Sequence, residues 1–207
     1  MMGSHLKTLL QWLLRPVLRY RGDPGQMYLT FDDGPHPEVT PRILDALDQC
    51  GVKATFFMIG QEMERYPAIV EEVRDRGHAV ALHGFAHRHG PDMSWREQLD
   101  DLRRMRAVAQ RFGVALRSYR PAYGDLSVLR IVWCALHRVR IVMWSFESRD
   151  SFVKDDAELA ERVTPQALAG GDILLFHDDT PVTALALPGL LQRAQSAGLR
   201  FGTLESA

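Results

Sequence analysis

The 207-residue sequence is 46% hydrophobic and 25% charged, with a formal net charge of −1. This composition is typical of a globular protein, and the length predicts a single domain that buries a sizeable core. The near-neutral charge, without a basic cluster interleaved with aromatic residues, argues against nucleic-acid binding.

Residues 6–21 carry leucine and valine at spacings of three and four, which predicts an amphipathic helix with basic residues on its other faces. The uninterrupted apolar stretch is too short to span a bilayer, and no signal cleavage site follows it. We therefore divide the chain into an N-terminal amphipathic helical segment, residues 1–24, and a domain, residues 25–207.

The N-terminal segment has two interpretations. It either covers one end of the fold, or it makes peripheral contact with an anionic membrane through residues 6–21. The lack of a clear signal peptide predicts a cytoplasmic protein, in the second case one that associates with a membrane. The sequence indicates no protein partner.

Short apolar runs after Gln26 predict buried strands. There are seven, at residues 27–31, 54–60, 78–84, 116–119, 139–146, 172–177 and 199–204. Helical periodicity fills the segments between them. The clearest helix follows Ser94, which has Glu97 at capping-box spacing. Pro188 and Gly189 interrupt the last helical segment, residues 182–198, so we expect a short helix or a kink there.

The alternation of strands and helices predicts an α/β fold with a parallel sheet. Periodicity alone fits both an open doubly wound sheet and a barrel. Polar residues follow five of the strands: Asp32 and Asp33, His83 and His87, Arg120, Glu147 and Asp150, and His177 and Asp178. In a barrel these strand ends meet on one rim, whereas an open sheet spreads them along a line. The barrel is therefore favoured.

His83 and His87 have the His-x3-His spacing of metal ligands, although such a pair is weak evidence alone. A carboxylate from Asp32 or Asp33 would complete a set of three ligands. Three protein ligands leave one position open for water, which is the catalytic rather than the structural arrangement. The other carboxylate would then be free to act as a base.

The sequence as a whole resembles the polysaccharide deacetylases of carbohydrate esterase family four, the NodB-homology group. The resemblance is carried by five motifs in family order, TFDDGP (30–35), HGFAH (83–87), RPAYG (120–124), WSFESRDS (144–151) and ILLFHD (173–178). It implies a distorted (β/α)7 TIM-like barrel, in a metal-dependent hydrolase that removes a small acyl group, expected to be N-acetyl, from an amino sugar or glycan.

The resemblance also implies roles for individual residues. Asp33, His83 and His87 would hold a divalent metal, most simply Zn²⁺, with Co²⁺, Ni²⁺ or Mn²⁺ as alternatives. Asp32 would be the general base, paired with Arg120, and His177 the general acid, held by Asp150. The expected substrate-binding residues are Tyr123 through its backbone N–H, Leu175 beside the acyl methyl, and Trp144, which could instead belong to the core.

Three positions depart from the family motifs. Gly84 stands where a serine or threonine is usual and cannot donate a hydroxyl hydrogen bond to the metal-binding loop. Glu147 replaces an aspartate, and Ser151 replaces a tryptophan of the substrate groove. These changes bear on the substrate and on the rigidity of the site more than on the reaction.

Two other functions remain open. The same chemistry could act on a formyl group of a lipid-linked sugar or on a non-sugar amide, and the basic N-terminal segment gives the lipid-linked substrate slight support. A catalytically silent carbohydrate-binding barrel is disfavoured because Asp32, Asp33 and His177 are all present. Cys50 and Cys134 are expected to be buried thiols, with a disulfide not excluded.

Overall fold

The computed structural model describes residues 16–204. Its strands are β1 (Leu18–Arg19), β2 (Met27–Asp32), β3 (Thr55–Met58), β4 (Ala79–Leu82), β5 (Ser118–Tyr119), β6 (Arg140–Val142), β7 (Phe146–Glu147), β8 (Ile173–His177) and β9 (Phe201–Gly202). Its α-helices are α1 (Val39–Gln49), α2 (Gly60–Arg65), α3 (Pro67–Asp75), α4 (Trp95–Arg111), α5 (Val128–His137), α6 (Asp156–Arg162) and α7 (Pro181–Ser196).

The strands form one sheet in the order β1-β6-β5-β4-β3-β2-β8-β7, with β9 also paired to β2, and every ladder between named strands is parallel. Strands β6 and β7 lie near opposite ends of this order but are only three residues apart in sequence. The amide of Met143 donates to the carbonyl of Arg19 on β1, and that of Ser145 donates to the carbonyl of Ile173 on β8. The sheet therefore curls into the expected distorted barrel.

This closure corrects one predicted strand. Residues 139–146 do not form a single strand, because residues 143–145 cross from one edge of the sheet to the other. Apolar character alone could not show this crossing, since the segment is apolar both in the strand and where it bridges the edges.

Alternation along the strands separates two layers of core. Tyr28, Phe57, Ala81, Val142 and Ile173 pack together inside the barrel. Neighbouring strand residues, such as Leu29 and Phe31, pack in the larger cluster formed with the helices. Because side chains alternate between faces, Thr30 and Asp32 share the inner face with Tyr28. Strand β2 thus carries Asp32 to the end of the barrel interior.

The helix that follows Ser94 forms as predicted. Ser94 accepts a hydrogen bond from the amide of Glu97, and the Glu97 side chain accepts from the amide of Ser94, which completes the capping box. Of the short helix or kink expected near Pro188, the short helix is wrong, because α7 runs through this proline for 16 residues. Its buried face, which includes Leu187, Leu190 and Leu191, outweighs the hydrogen bond that Pro188 cannot donate.

The predicted N-terminal helix is wrong over residues 18–21. Leu18–Arg19 instead form β1, which pairs with β6, and Arg21 bridges to Asp172. Backbone pairing to the barrel edges accounts for the extended conformation. The rest of the predicted helix, before Pro16, lies outside the described residues, and the boundary at residue 24 stays a prediction.

Two further findings concern the described residues. Both cysteine thiols are free, with Cys134 buried and Cys50 half-buried. Among the helices of residues 16–204, none has the length and apolar character that crossing a bilayer requires.

Candidate active site

The expected base and acid lie side by side at the ends of adjacent strands. Asp32 ends β2 and is paired in register with His177, which ends β8. The carbonyl of Asp32 accepts a hydrogen bond from the amide of Asp178 at 3.1 Å, so the two strands stay joined where the side chains emerge. His83 follows β4 directly, and its amide donates to Met58 of β3. Three segments, β2, β4 and β8, therefore bring Asp32, His83 and His177 to one rim.

Arg120 reaches this rim from the loop after β5 and is completely buried. Its Nη1 donates to Oδ1 of Asp32 at 2.6 Å and to the hydroxyl of Thr30 at 2.9 Å. Its Nε and Nη2 donate to the carbonyls of Val142 and Met143. A buried guanidinium requires such compensation, because desolvation of a charge is costly. Burial lowers the pKa of Arg120, and the charge of Asp32 opposes that shift.

Three residues of the site have a backbone conformation that residues other than glycine rarely adopt. Asp33, His87 and Tyr123 have φ angles of 76°, 45° and 57°. Only Arg138 and Arg149 share this feature among the non-glycine residues that the structure describes. Such strain persists where the surrounding structure enforces it, and it concentrates at functional sites. The strain thus marks the same loops as the sequence motifs.

The three predicted metal ligands converge. One ligand atom from each of Asp33, His83 and His87 lies within 4.8 Å of the others. Oδ1 of Asp33 is 2.9 Å from Nε2 of His87 and 3.4 Å from Nε2 of His83. Ligands bound tetrahedrally at Zn–N and Zn–O distances of about 2.0–2.1 Å are separated by about 3.3 Å. The spacing therefore fits a small divalent cation.

Hydrogen bonding supports the same fit. Nδ1 of His83 lies 2.9 Å from the carbonyl of Arg120, which can only accept, so Nδ1 carries a proton and Nε2 is the ring atom left to bind a cation. Fixing the tautomer through the second nitrogen is typical of metal-binding histidines. Oδ1 of Asp33 is buried without an aligned hydrogen-bond donor, although Nε2 of His87 is close. A cation bound between Oδ1 of Asp33 and Nε2 of a neutral His83 would satisfy both atoms.

The electrostatics of the three groups are coupled. Burial acts to raise the pKa of Asp33, but the close imidazoles of His83 and His87, when charged, outweigh burial and hold this pKa far below its usual value. Burial acts to lower the pKa of His83, and the charges of Asp32 and Asp33 leave it raised. Asp33 is thus a carboxylate at neutral pH, as a metal ligand must be.

The imidazole of His177 is held by Asp150. Nδ1 of His177 lies 2.7 Å from Oδ1 of Asp150, and Oδ2 of Asp150 accepts from the amide of His177 and the hydroxyl of Thr183. Burial acts to lower the pKa of His177, but the bond to Asp150 and the negative charges of Asp150, Asp32 and Asp33 raise it to about 9. Nε2, on the other side of the ring, lies 4.0 Å from Oδ2 of Asp33 and faces the site.

The expected substrate-binding residues occupy three environments. Tyr123 is 58% exposed, and its ring lies tilted against that of His87 with the centroids 4.7 Å apart. Leu175 is buried beside Thr30 in register on β8, two residues before His177 and on the same face. Trp144 is half-buried and packs against both parts of the core. Their contacts with substrate stay predictions.

The three residues that depart from the family motifs, Gly84, Glu147 and Ser151, differ in conformation, exposure and contacts. Gly84 has a φ of 85°, which suits glycine. Glu147 lies exposed on β7, paired with Leu175. The hydroxyl of Ser151 is 3.2 Å from Nδ1 of His177, so this side chain contacts the imidazole of His177.

Sequence reasoning missed a second group of residues behind Tyr123. The ring of His89 lies 5.1 Å from that of Tyr123, and its Nδ1 is 3.5 Å from Oδ2 of Asp125. The same oxygen accepts from the amide of Gly90 at 2.7 Å. The ring of Tyr123 therefore contacts the imidazoles of both His87 and His89. His87 and His89 lie two residues apart in the sequence, as HRH (87–89). In a chain with eight histidines, this spacing alone did not show that His89 would lie beside the site.

Comparison with known proteins decides the family. Residues 19–136, more than half of the chain, match the sequence profile described as polysaccharide deacetylase. The chain belongs to the polysaccharide deacetylase family. A peptidoglycan-N-acetylglucosamine deacetylase of Bacillus cereus is 30% identical over 96% of this chain and 74% of that protein. The predicted enzyme class, a deacetylase-type hydrolase of a metal-dependent family, is thereby confirmed.

Solved structures of the polysaccharide deacetylase family agree with the barrel. A peptidoglycan N-acetylglucosamine deacetylase in complex with 4-naphthalen-1-yl-N-oxidanyl-benzamide matches with a TM-score of 0.88 and 28% identity, over 95% of this chain and 94% of that one. A pseudoenzyme of carbohydrate esterase family four from Bacillus anthracis matches with a TM-score of 0.84 and 25% identity, over 92% of this chain and 68% of that one. The fold alone therefore does not establish catalysis.

Proposed function

We propose that this polysaccharide deacetylase removes the acetyl group from N-acetylglucosamine residues of a glycan, using a divalent metal, preferably Zn²⁺, held by Asp33, His83 and His87. The observation that carries the proposal is the line of groups across the rim. Asp32 and His177 lie next to each other in register. The carboxylate of Asp33 lies 3.4 Å from Nε2 of His83 and 4.0 Å from Nε2 of His177. The similar Bacillus cereus protein supports the choice of substrate.

The ligand set fits the proposed metal. Two imidazoles and one carboxylate suit zinc, and three protein ligands leave a position for water or substrate. When bound, a divalent cation would polarise the amide carbonyl and lower the pKa of water. The side chains of Asp33, His87 and His177 are 20–24% exposed, so a glycan can reach the site from solvent.

Asp32 is placed to take a proton. Its Oδ1 is held by Arg120, which leaves Oδ2 directed towards His83, 3.6 Å from Nε2. A general base must be fixed within hydrogen-bond reach of the water that it deprotonates. The buried ion pair with Arg120 fixes the carboxylate rotamer without occupying Oδ2.

His177 is placed to give a proton back. With Nδ1 bound to Asp150, the proton on Nε2 faces the site, and a pKa of about 9 keeps it in place at neutral pH. An amine is a poor leaving group until its nitrogen is protonated, so an acid on this side completes amide cleavage. The proposed reaction needs no covalent intermediate.

Turnover against a panel of substrates tests the proposal. Metal-stripped protein receives Zn²⁺ and is offered chitooligosaccharides, peptidoglycan fragments, N-formyl lipid-linked sugars and simple non-sugar amides, and acid release is followed by mass spectrometry. We expect zinc-dependent loss of acetyl from the N-acetylglucosamine substrates. Release from the formyl or non-sugar substrates alone would select an alternative substrate. No release from any substrate by zinc-loaded protein would support the silent binding barrel.

Membrane contact through residues 6–21 and cytoplasmic localisation remain proposals from the sequence. Because β1 begins at Leu18, a truncation that tests vesicle binding should remove residues 1–15 and no more. Unchanged binding to anionic vesicles would refute the membrane contact.

A further inference from the structure

The loop between His83 and His87 sets the spacing of two candidate metal ligands, and no hydroxyl is available at position 84 to hold it. We call residues 84–86 the histidine loop. Its first residue, Gly84, has a φ of 85°, so the backbone turns sharply directly after His83. A loop of this shape needs partners for its amides and carbonyls, since unpaired buried backbone groups cost free energy.

The start of α2 holds the carbonyl side of the histidine loop. The amide of Gly60 donates to the carbonyl of Gly84 at 3.0 Å, and the amide of Gln61 donates to that of Phe85 at 2.9 Å. These amides belong to the first turn of a helix and have no partner within it. A Cβ at position 60 would lie 2.8 Å from the ring of Phe85, so this approach requires glycine.

Asp101 of α4 holds the amide side. Both of its carboxylate oxygens lie 3.2 Å from the amide of Phe85, and Oδ1 accepts from the amide of Ala86 at 3.0 Å. Hydrogen bonds to a carboxylate are stronger than those between neutral groups. Arg104, one turn further along α4, places its guanidinium 3.7 Å from the centre of the Phe85 ring. Helix α4 thus fixes both the backbone and the side chain of the loop.

The Asp101 carboxylate also occupies the space next to position 84. A Cβ on Gly84 would lie 3.3 Å from Oδ2 of Asp101, closer than ordinary van der Waals contact. The serine or threonine expected from the family motif would therefore crowd Asp101, besides adopting an unfavourable φ. Gly84 and Asp101 form a compatible pair.

We propose that Asp101 is a positioning residue for metal binding, which acts through the amides of Phe85 and Ala86 to hold His83 and His87 at ligand spacing. The proposal rests on the metal site of the proposed function. It predicts that loss of the carboxylate leaves all three ligand residues present but allows the histidine loop to relax. The spacing of His83 and His87 then changes, and affinity for a divalent cation falls. Changing an outer partner of a metal ligand typically weakens affinity by about 10–100-fold.

Zinc affinity of the metal-stripped full chain tests the proposal, measured by competition with a chromogenic chelator. The variants are Asp101→Ala, which removes both acceptors, and Asp101→Asn, which keeps one. Asp100→Ala is the matched control, because Asp100 is the exposed acidic neighbour on the same helix. Thermal unfolding of each protein in excess chelator reports stability without metal.

We expect the dissociation constant for Zn²⁺ to rise about 10-fold or more in Asp101→Ala and by less in Asp101→Asn, with Asp100→Ala unchanged. If Asp101→Ala does not fold, Asp101→Asn decides alone, and an affinity within twofold of wild type overturns the proposal. A lower unfolding temperature in chelator with unchanged zinc affinity also overturns it, since the role would be structural. Failure of the wild-type protein to bind Zn²⁺ would instead refute the metal site of the proposed function.

Discussion

Replacing Asp150 with asparagine tests whether this carboxylate keeps His177 protonated. Asparagine preserves the shape and can still accept from Nδ1 of His177, but it removes the negative charge. Asp150 is buried, and its two oxygens contact the ring and amide of His177 and the hydroxyl of Thr183. Those contacts outweigh burial and keep the pKa of Asp150 lowered.

The magnitude follows from the pKa of His177. The difference between about 9 in the folded protein and 6.5 ordinarily corresponds to about 3 kcal/mol. Asp32 and Asp33 supply part of it, so 3 kcal/mol is the upper limit for Asp150. Because the folded pKa is raised, this stabilisation is fully present below about pH 6.5 and disappears as pH rises through about 9.

The assay is urea denaturation of wild-type and Asp150→Asn protein in excess chelator at pH 6, 8 and 10. We expect the variant to lose about 2–3 kcal/mol at pH 6 and clearly less at pH 10. In zinc-loaded protein, the basic limb of the pH profile of kcat/KM should move to lower pH, because His177 loses its proton earlier. An equal loss of stability at all three pH values would refute the electrostatic account of His177.

Three further predictions follow from other contacts. Arg120→Met should destabilise the fold by about 3–5 kcal/mol in denaturation experiments, since it leaves Asp32 buried without its counter-charge, and a smaller loss than 1 kcal/mol would contradict this. Thr183→Val should cost about 1–3 kcal/mol by removing a donor to Asp150, whereas Thr183→Ser should be nearly neutral; equal losses would assign the effect to packing. Zinc at 100 times its dissociation constant should stabilise wild type by about 2.7 kcal/mol but not Asp33→Ala, and equal stabilisation of both would exclude this site.

The sequence predicted the rim well because motif order and strand periodicity constrain each other. Strand β2 was readable as a buried run ending in Asp32 and Asp33, and a parallel barrel brings every such strand end to one side. The capping box at Ser94 was readable for a local reason, since both partners lie within four residues. Local capping rules and the repeated alternation of strands and helices were therefore enough to predict most of the fold.

The errors arose where tertiary contacts decide the structure. Residues 18–21 have helical periodicity, yet pairing with the barrel edges makes them extended. Pro188 carries a breaking signal that burial of α7 overrides. Asp101 and Thr183 had no sequence signal, because each meets its partner only after a helix packs against the barrel. Such supporting contacts could not be predicted from spacing.

The most direct measurement of the central claim compares Asp32→Asn with wild type in two assays on the same preparation. One measures the dissociation constant for Zn²⁺, and the other measures acetate released from an N-acetylglucosamine oligomer. The account predicts zinc binding close to that of wild type and a loss of turnover of at least about 100-fold, because Asp32 acts as base rather than as ligand. Turnover within a few-fold of wild type with zinc bound would contradict the assignment of Asp32 and Asp33 to separate roles.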